Sequence, residues 1–75
     1  MTVIDVMCEM TAVVWKLEKS VGQTVSEGDI VMVLESMKME IPVEAPSSGR
    51  ITEMLAAEGD SVSEGDVLMR IEAEA

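Results

Sequence analysis

The sequence has no histidine, phenylalanine or tyrosine, and a single cysteine and a single tryptophan among its 75 residues. Without Phe and Tyr, the hydrophobic core has to be built from Val, Ile, Leu and the eight Met. One cysteine excludes an internal disulfide framework, which agrees with a reducing cytosol. Cys8 shares strand parity with Ile4 and Val6 and lacks a nearby Lys or His to activate it. We therefore predict a buried, unreactive thiol.

Positive charge is also scarce. The chain has five Lys and Arg and fifteen Asp and Glu, which gives a formal net charge of −10. Such a chain is repelled by nucleic acid and by anionic membranes, and neither is predicted as a partner. The acidity favours basic docking surfaces on partner enzymes, although solubility alone would also explain it. No apolar run approaches the roughly 18 residues that span a bilayer, and no signal peptide is recognisable. A cytoplasmic protein is expected.

The main feature of the sequence is an internal repeat. When the chain is shifted by 37 residues, the fourteen positions that begin at Gly22 match those that begin at Gly59, and eight of them are identical. We predict one domain over residues 1–75 with repeats 2–38 and 39–75. Lys38 ends the first repeat, and its counterpart in the second is Ala75. An internal two-fold axis would place Lys38 on a tip at one pole and both termini at the other.

Periodicity predicts an all-β fold, with short strands at regular spacing that form a small barrel or sandwich. Neither repeat could bury its apolar face alone, so both are expected to share one core. In the last strand, Val67, Met69 and Ile71 are predicted to point inward, and Leu68, Arg70 and Glu72 outward. Pro42 predicts that its strand lies at a sheet edge. The main predicted strands cover Thr2–Met7, Ile30–Leu34, Met39–Ala45 and Val67–Glu72.

The segments 12–19 and 49–57 alternate less regularly. A β-bulge in each repeat would explain why the inward parity changes along them. A helix over Ile51–Glu58 is the competing interpretation, since Met54 and Leu55 follow Ile51 by three and four residues. Each repeat is also predicted to contain one short strand, near Val25 and near Val62.

The segment Glu35–Glu40 joins two predicted strands without any Gly, Asn, Asp or Pro. Tight hairpins favour primed turns whose central residues have positive φ, so Met37 and Lys38 are poor choices by local rules. Other turns of the chain use Gly-Asp freely. A local rule that is broken at one place in a consistent sequence indicates function.

The order Glu35-Ser36-Met37-Lys38-Met39-Glu40 resembles the biotin attachment motif of biotinyl carrier domains, in which Ala or Ser precedes Met-Lys-Met. The resemblance covers essentially the whole chain and implies a flattened eight-stranded barrel or sandwich of two four-stranded sheets with quasi-two-fold symmetry. It implies that Lys38 receives biotin from a biotin protein ligase. It also implies a carrier, not an enzyme, that moves carboxyl groups between biotin carboxylase and carboxyltransferase subunits. A monomer without a metal site is expected.

The residues that flank Lys38 carry weaker predictions. Met37 and Met39 either fill the core or shape the tip for the ligase. Ser36 is compact, which suggests a close backbone approach, and Glu35 and Glu40 are solvated carboxylates or steer a partner. Outside the hairpin, Trp15 is expected to pack.

Three alternatives remain open. A lipoyl-type acyl carrier is similar in fold. Its lysine, however, typically follows Asp and is not flanked by paired methionines. A phosphopantetheine carrier would use Ser61 after Asp60, yet it is helical. An unmodified adaptor would not need Lys38. The chain is expected to be free-standing, with a domain excised from a longer protein as the alternative.

Overall fold

The computed structural model describes residues 2–73, which form eight β-strands in two four-stranded antiparallel sheets. The first sheet has the order β1-β8-β6-β3, and the second has the order β5-β4-β2-β7. The sheets stack as a flattened sandwich and do not close into a barrel, so the all-β prediction is confirmed in its sandwich form. The strands are β1 (Thr2–Met7), β2 (Ala12–Leu17), β3 (Thr24–Val25), β4 (Ile30–Ser36), β5 (Met39–Glu44), β6 (Gly49–Met54), β7 (Ser61–Val62) and β8 (Val67–Ala73).

The two sheets are equivalent under the 37-residue shift. Strands β1 to β4 correspond in order to β5 to β8, and each sheet takes two strands from either half of the chain. The short strands β3 and β7 lie near Val25 and Val62, as predicted. The helix considered for Ile51–Glu58 is wrong, because its first four residues belong to β6. Among the residues described, no helix has the length and hydropathy needed to cross a bilayer.

The core lies between the sheets and contains side chains from both halves of the chain. Within residues 2–73 no polar or charged side chain is buried there, so burial of apolar area stabilises the sandwich without desolvated charge. Cys8 is 3 % exposed and its Sγ donates to the Met10 carbonyl oxygen at 2.7 Å, which confirms the buried thiol. The core residues are Val6, Cys8, Ala12, Val14, Val25, Val31, Met32, Leu34, Ala45, Ile51, Ala56, Val62, Leu68, Met69 and Ile71.

Two bulges interrupt β2 and β6, as the sequence predicts. Trp15 is the extra residue between the pairs Val14–Leu34 and Lys16–Val33. Thr52 is the extra residue at the equivalent place in β6. Each bulge moves one residue out of register, so the inward parity changes along the strand. Trp15 was expected to pack, but half of its surface is exposed.

A second pair of bulges, in β8 and β4, makes part of the predicted orientation of β8 wrong. Leu68 was predicted to point outward, yet it is fully buried beside Met69. The pairing with β1 omits Leu68, since Val6 pairs with Met69 and Met7 with Val67. The bulge lets two consecutive side chains enter the core, which strict alternation does not allow. Val31 is buried in the same way in β4.

The tight turns have the glycine chemistry that the sequence predicts. Four glycines have φ between 90° and 93°, a region that other residues rarely adopt. In three turns an aspartate also accepts from the backbone N–H three residues earlier, at 2.8–2.9 Å. Pro42 lies on β5, which is an edge strand as predicted. The donors in those three bonds are Ser26, Ala57 and Ser63, and the acceptors are Asp29, Asp60 and Asp66.

The course of the chain separates the first described residue from the β4–β5 hairpin. Thr2 pairs with Ala73, so the two ends of the described segment are adjacent. From there β1 runs along the sandwich to the loop that ends at Thr11, which contacts Ser36 at the base of the hairpin. The predicted position of the termini themselves concerns Met1, Glu74 and Ala75, which lie outside the described residues.

Candidate functional site

The β4–β5 hairpin carries all six residues of the motif, Glu35 to Glu40. Ser36 pairs with Met39, and Glu35 pairs with Glu40, so Met37 and Lys38 form a two-residue turn. Strand β4 pairs with β2 on its other edge, so one arm of the hairpin lies inside the second sheet and the other arm, β5, forms its edge. The turn therefore projects from a rigid support.

The backbone of the turn is strained. Met37 has φ of 52° and Lys38 has φ of 66°, the only positive φ values among non-glycine residues in the described chain. Each costs about 1–2 kcal/mol for a side chain with a Cβ. The register of the hairpin imposes this geometry, because two-residue loops need primed turns to match the strand twist.

The side chains at the turn face solvent. Lys38 is exposed, and Met37 and Met39 are 92 % and 63 % exposed. Core filling, one of the two interpretations for these methionines, is thus wrong for both: Met39 has inward parity but lies beyond the end of the core. Within residues 2–73, the ion pairs are formed by Lys16 and Arg70, and Lys38 takes part in none. The Lys38 amine is therefore available to another molecule.

Ser36 fixes the hairpin to a neighbouring loop. Its Oγ donates to the Thr11 carbonyl oxygen at 3.3 Å, and the side chain is half-buried. Backbone of another segment thus lies close to Ser36, which is consistent with a compact residue at this position. Thr11 was missed by sequence reasoning: it lies 25 residues away, and the sequence carries no signal for the contact.

We predict that Met37→Asn raises the free energy of unfolding by about 0.5–1 kcal/mol, because Asn tolerates positive φ and is favoured in primed turns. Little packing is lost, since Met37 is almost fully exposed. Chemical denaturation measures the change. Met7→Asn is the matched control on extended β1, where the same replacement should be neutral or destabilising. A destabilised Met37→Asn variant would show that the turn is not strained.

Chemically, the hairpin offers one primary amine on an exposed turn, with Glu35 and Glu40 exposed on the strands behind it. An amine without an ion-pair partner can be acylated once it loses its proton, and the two carboxylates can interact with a basic enzyme surface. The turn has the geometry of an attachment point rather than of a catalytic cleft.

Comparison with known proteins agrees with this geometry. Residues 3–71 match the family model described as Biotin_lipoyl, biotin-requiring enzyme. The biotin/lipoyl attachment protein of Bacillus subtilis is 44 % identical over 56 residues, which are 75 % of this chain and 77 % of that protein. The biotinylated protein TB7.3 homolog of Mycobacterium leprae is 40 % identical over 55 residues, 73 % of this chain and 78 % of that protein.

A solved structure shows the same fold inside a much larger protein. The urea carboxylase of Kluyveromyces lactis superposes with a TM-score of 0.89 and 35 % identity over 96 % of this chain. The match spans only 6 % of the urea carboxylase chain. The similarity thus concerns one small domain of that enzyme. By sequence and by structure, the chain belongs to the biotin/lipoyl attachment family.

Proposed function

We propose that this protein is a biotin carboxyl carrier in which the Nζ of Lys38 bears biotin in amide linkage. The observation that carries the proposal is an exposed lysine at the apex of a strained two-residue turn, with no ion pair to any of residues 2–73. Met37 and Met39 favour biotin over the lipoyl alternative, because the attachment motif of biotinyl domains pairs methionines around the lysine. The name of the Mycobacterium leprae relative also refers to biotin.

Attachment requires a deprotonated amine. A base in the enzyme site would first take one proton from the Lys38 ammonium. The Nζ lone pair would then form a C–N bond to the activated carboxyl carbon of a biotinyl donor while the bond from that carbon to its leaving group breaks, and a second proton would leave Nζ to give the neutral amide. A desolvating enzyme site can take the proton from lysine but not from arginine. A biotin protein ligase is the partner that would provide such a site.

The protein positions the cofactor and leaves the reaction to its partners. When bound, biotin supplies a ring nitrogen that accepts and releases a carboxyl group. The hairpin holds the attachment point just beyond the end of β4, a strand paired on both edges, and the long lysine side chain would supply the reach. Tethering replaces diffusion of a free cofactor between a biotin carboxylase and a carboxyltransferase. The similarity to a domain of urea carboxylase supports partners of this class.

The remaining parts of the proposal concern the chain as a whole. We propose a single domain over residues 1–75 with repeats 2–38 and 39–75, acting as a monomer in the cytoplasm and catalysing no reaction itself. The acidic surface, with a net charge of −10, would help to keep copies apart and to attract basic enzyme surfaces.

The test is co-expression with a biotin protein ligase in biotin-rich medium. We expect the intact mass to rise by one biotinyl group, and peptide mapping to locate it at Lys38. A lipoyl mass at the same lysine, obtained with a lipoate ligase but not with the biotin ligase, would favour the lipoyl carrier. An unmodified chain under both conditions would refute the proposal.

A further inference from the structure

One row of residues on the outer face differs in polarity between the two equivalent sheets. In the first sheet, Asp5, Arg70 and Glu53 lie side by side on β1, β8 and β6. The Arg70 Nε lies 3.0 Å from Asp5 Oδ1, and its Nη1 lies 3.2 Å from Glu53 Oε2. These ion pairs make this row of the outer face charged at all three positions.

In the second sheet the equivalent row is apolar at two of its three positions. Pro42, Val33 and Lys16 lie side by side on β5, β4 and β2, at the places of Asp5, Arg70 and Glu53. Val13 and Trp15 stand next to this row and are 42 % and 50 % exposed. Their equivalents in the first sheet are Arg50 and Thr52. We call the set Val13, Trp15, Val33 and Pro42 the apolar face; Val33 is half-buried and the other three are exposed.

The apolar face is not required by the fold. The charged row of the first sheet shows that the same backbone accepts polar side chains at equivalent positions. Polar residues occupy all four equivalent positions of the first sheet, so apolar side chains at these positions are specific to the sheet that carries Lys38. A cluster of exposed apolar residues bordered by charge is typical of a binding surface.

The border of the apolar face is acidic on β4 and β5, whereas Lys16, which is paired with Glu18, lies on the β2 side. Glu35, Glu40 and Glu44 lie on β4 and β5, and all three are exposed. Together with the net charge of −10, they disfavour a second copy of this chain as the occupant. They favour a protein whose apolar contact surface is bordered by Lys or Arg.

We propose that the apolar face is the docking surface for the biotin protein ligase, an inference that rests on the proposed function. The ligase acts on the bare lysine, whose amine extends only about 6 Å from the backbone. It must therefore contact the hairpin itself. A carboxylase can meet the cofactor at the end of a longer side chain and does not need this contact.

The position of the apolar face suits such a contact. The inner face of the hairpin is packed against the core, so an enzyme would contact the tip, the outer face or the free edge of β5. Val33 precedes Lys38 by five residues, or about 16 Å along the strand. A typical interface of about 800 Å² per partner is roughly 30 Å across and would include both.

Steady-state biotin transfer by a purified bacterial biotin protein ligase tests the proposal, with the apo-protein concentration varied. In Val33→Arg/Pro42→Asp, which leaves the net charge unchanged, we expect the KM for the carrier to rise at least ten-fold and kcat to stay within two-fold. Trp15→Thr, which installs the equivalent residue of the first sheet, should raise KM about five-fold. Circular dichroism melting verifies that each variant folds.

A matched pair separates docking from general surface effects. Val13→Thr and Val3→Thr make the same change at similarly exposed positions on opposite sheets. Only Val13→Thr should raise KM, by about two- to three-fold. Equal KM values for wild type and all apolar-face variants would overturn the inference, whereas an unlabelled wild type would overturn the proposed function.

Other occupants would give different results. If wild type sediments as a dimer that Trp15→Thr dissociates, the face binds a second copy and the inference is wrong. If labelling is unchanged but a purified biotin carboxylase acts more slowly on holo Val33→Arg/Pro42→Asp, the face serves the carboxylase and the inference is also wrong.

Discussion

Lys38→Arg is expected to abolish biotin attachment, with labelling at least 1,000-fold below wild type in the same reaction. Arginine keeps the positive charge, the length and the Cβ of the residue, so the turn and its φ of 66° should be unaffected. Its guanidinium cannot lose a proton under these conditions and is not a nucleophile. Intact mass and streptavidin blotting measure the loss directly.

The stability of Lys38→Arg separates the chemical role from a structural one. Because Lys38 is exposed and takes part in none of the ion pairs among residues 2–73, we expect the free energy of unfolding to change by less than about 0.5 kcal/mol. Lys19→Arg is the matched control and should be labelled like wild type. Residual labelling of Lys38→Arg on Lys16 or Lys19 would show that the ligase does not select the turn.

Much of the fold follows from the sequence because the internal repeat presents the pattern of each strand twice, and the two copies can be compared. The parity change around Trp15 and around Thr52 predicts a bulge in β2 and β6, and both are present. Leu68 was assigned to the wrong side because its neighbours alternate regularly. Only the pairing with β1 reveals the extra residue there. Bulges that conserve an apolar pattern cannot be detected from that pattern.

At the candidate site, the local features were predictable and the contacts across strands were not. The absence of turn residues between β4 and β5 predicts the strained backbone at Met37 and Lys38, and both have positive φ. The contact of Ser36 with Thr11 depends on how a distant loop folds back. The apolar face likewise becomes visible only when the register places Val33 beside Pro42. The biotinylation of Lys38 itself stays a prediction.

Gly49→Val is expected to lower the free energy of unfolding by about 3 kcal/mol or more, the largest loss of stability that we predict. Gly49 pairs with Ala73 on β8, and its φ is not in the glycine-only region. Glycine is required at this position because there is no room for a Cβ. A Cβ at this position would overlap the carbonyl oxygen of Glu72, and would lie 2.9 Å from its carbonyl carbon and 3.0 Å from the Ala73 Cα. Backbone atoms of a paired strand cannot move aside as a side chain can.

Ala12 is the equivalent residue in the first repeat. Comparison with it shows that the expected loss of stability comes from this contact and not from the strand position in general. Ala12 keeps its Cβ in the core at 5 % exposure, so the same strand position accepts a methyl group in the other sheet. We therefore expect Gly49→Ala to be strongly destabilising, and Ala12→Gly to cost only about 1 kcal/mol through lost burial and added chain entropy. For a domain of this size, 3 kcal/mol corresponds to a fall in Tm of about 12–24 °C, which calorimetry measures. A Gly49→Val protein that melts within a few degrees of wild type would show that β6 and β8 separate easily, and that the close approach of these strands does not stabilise the sandwich.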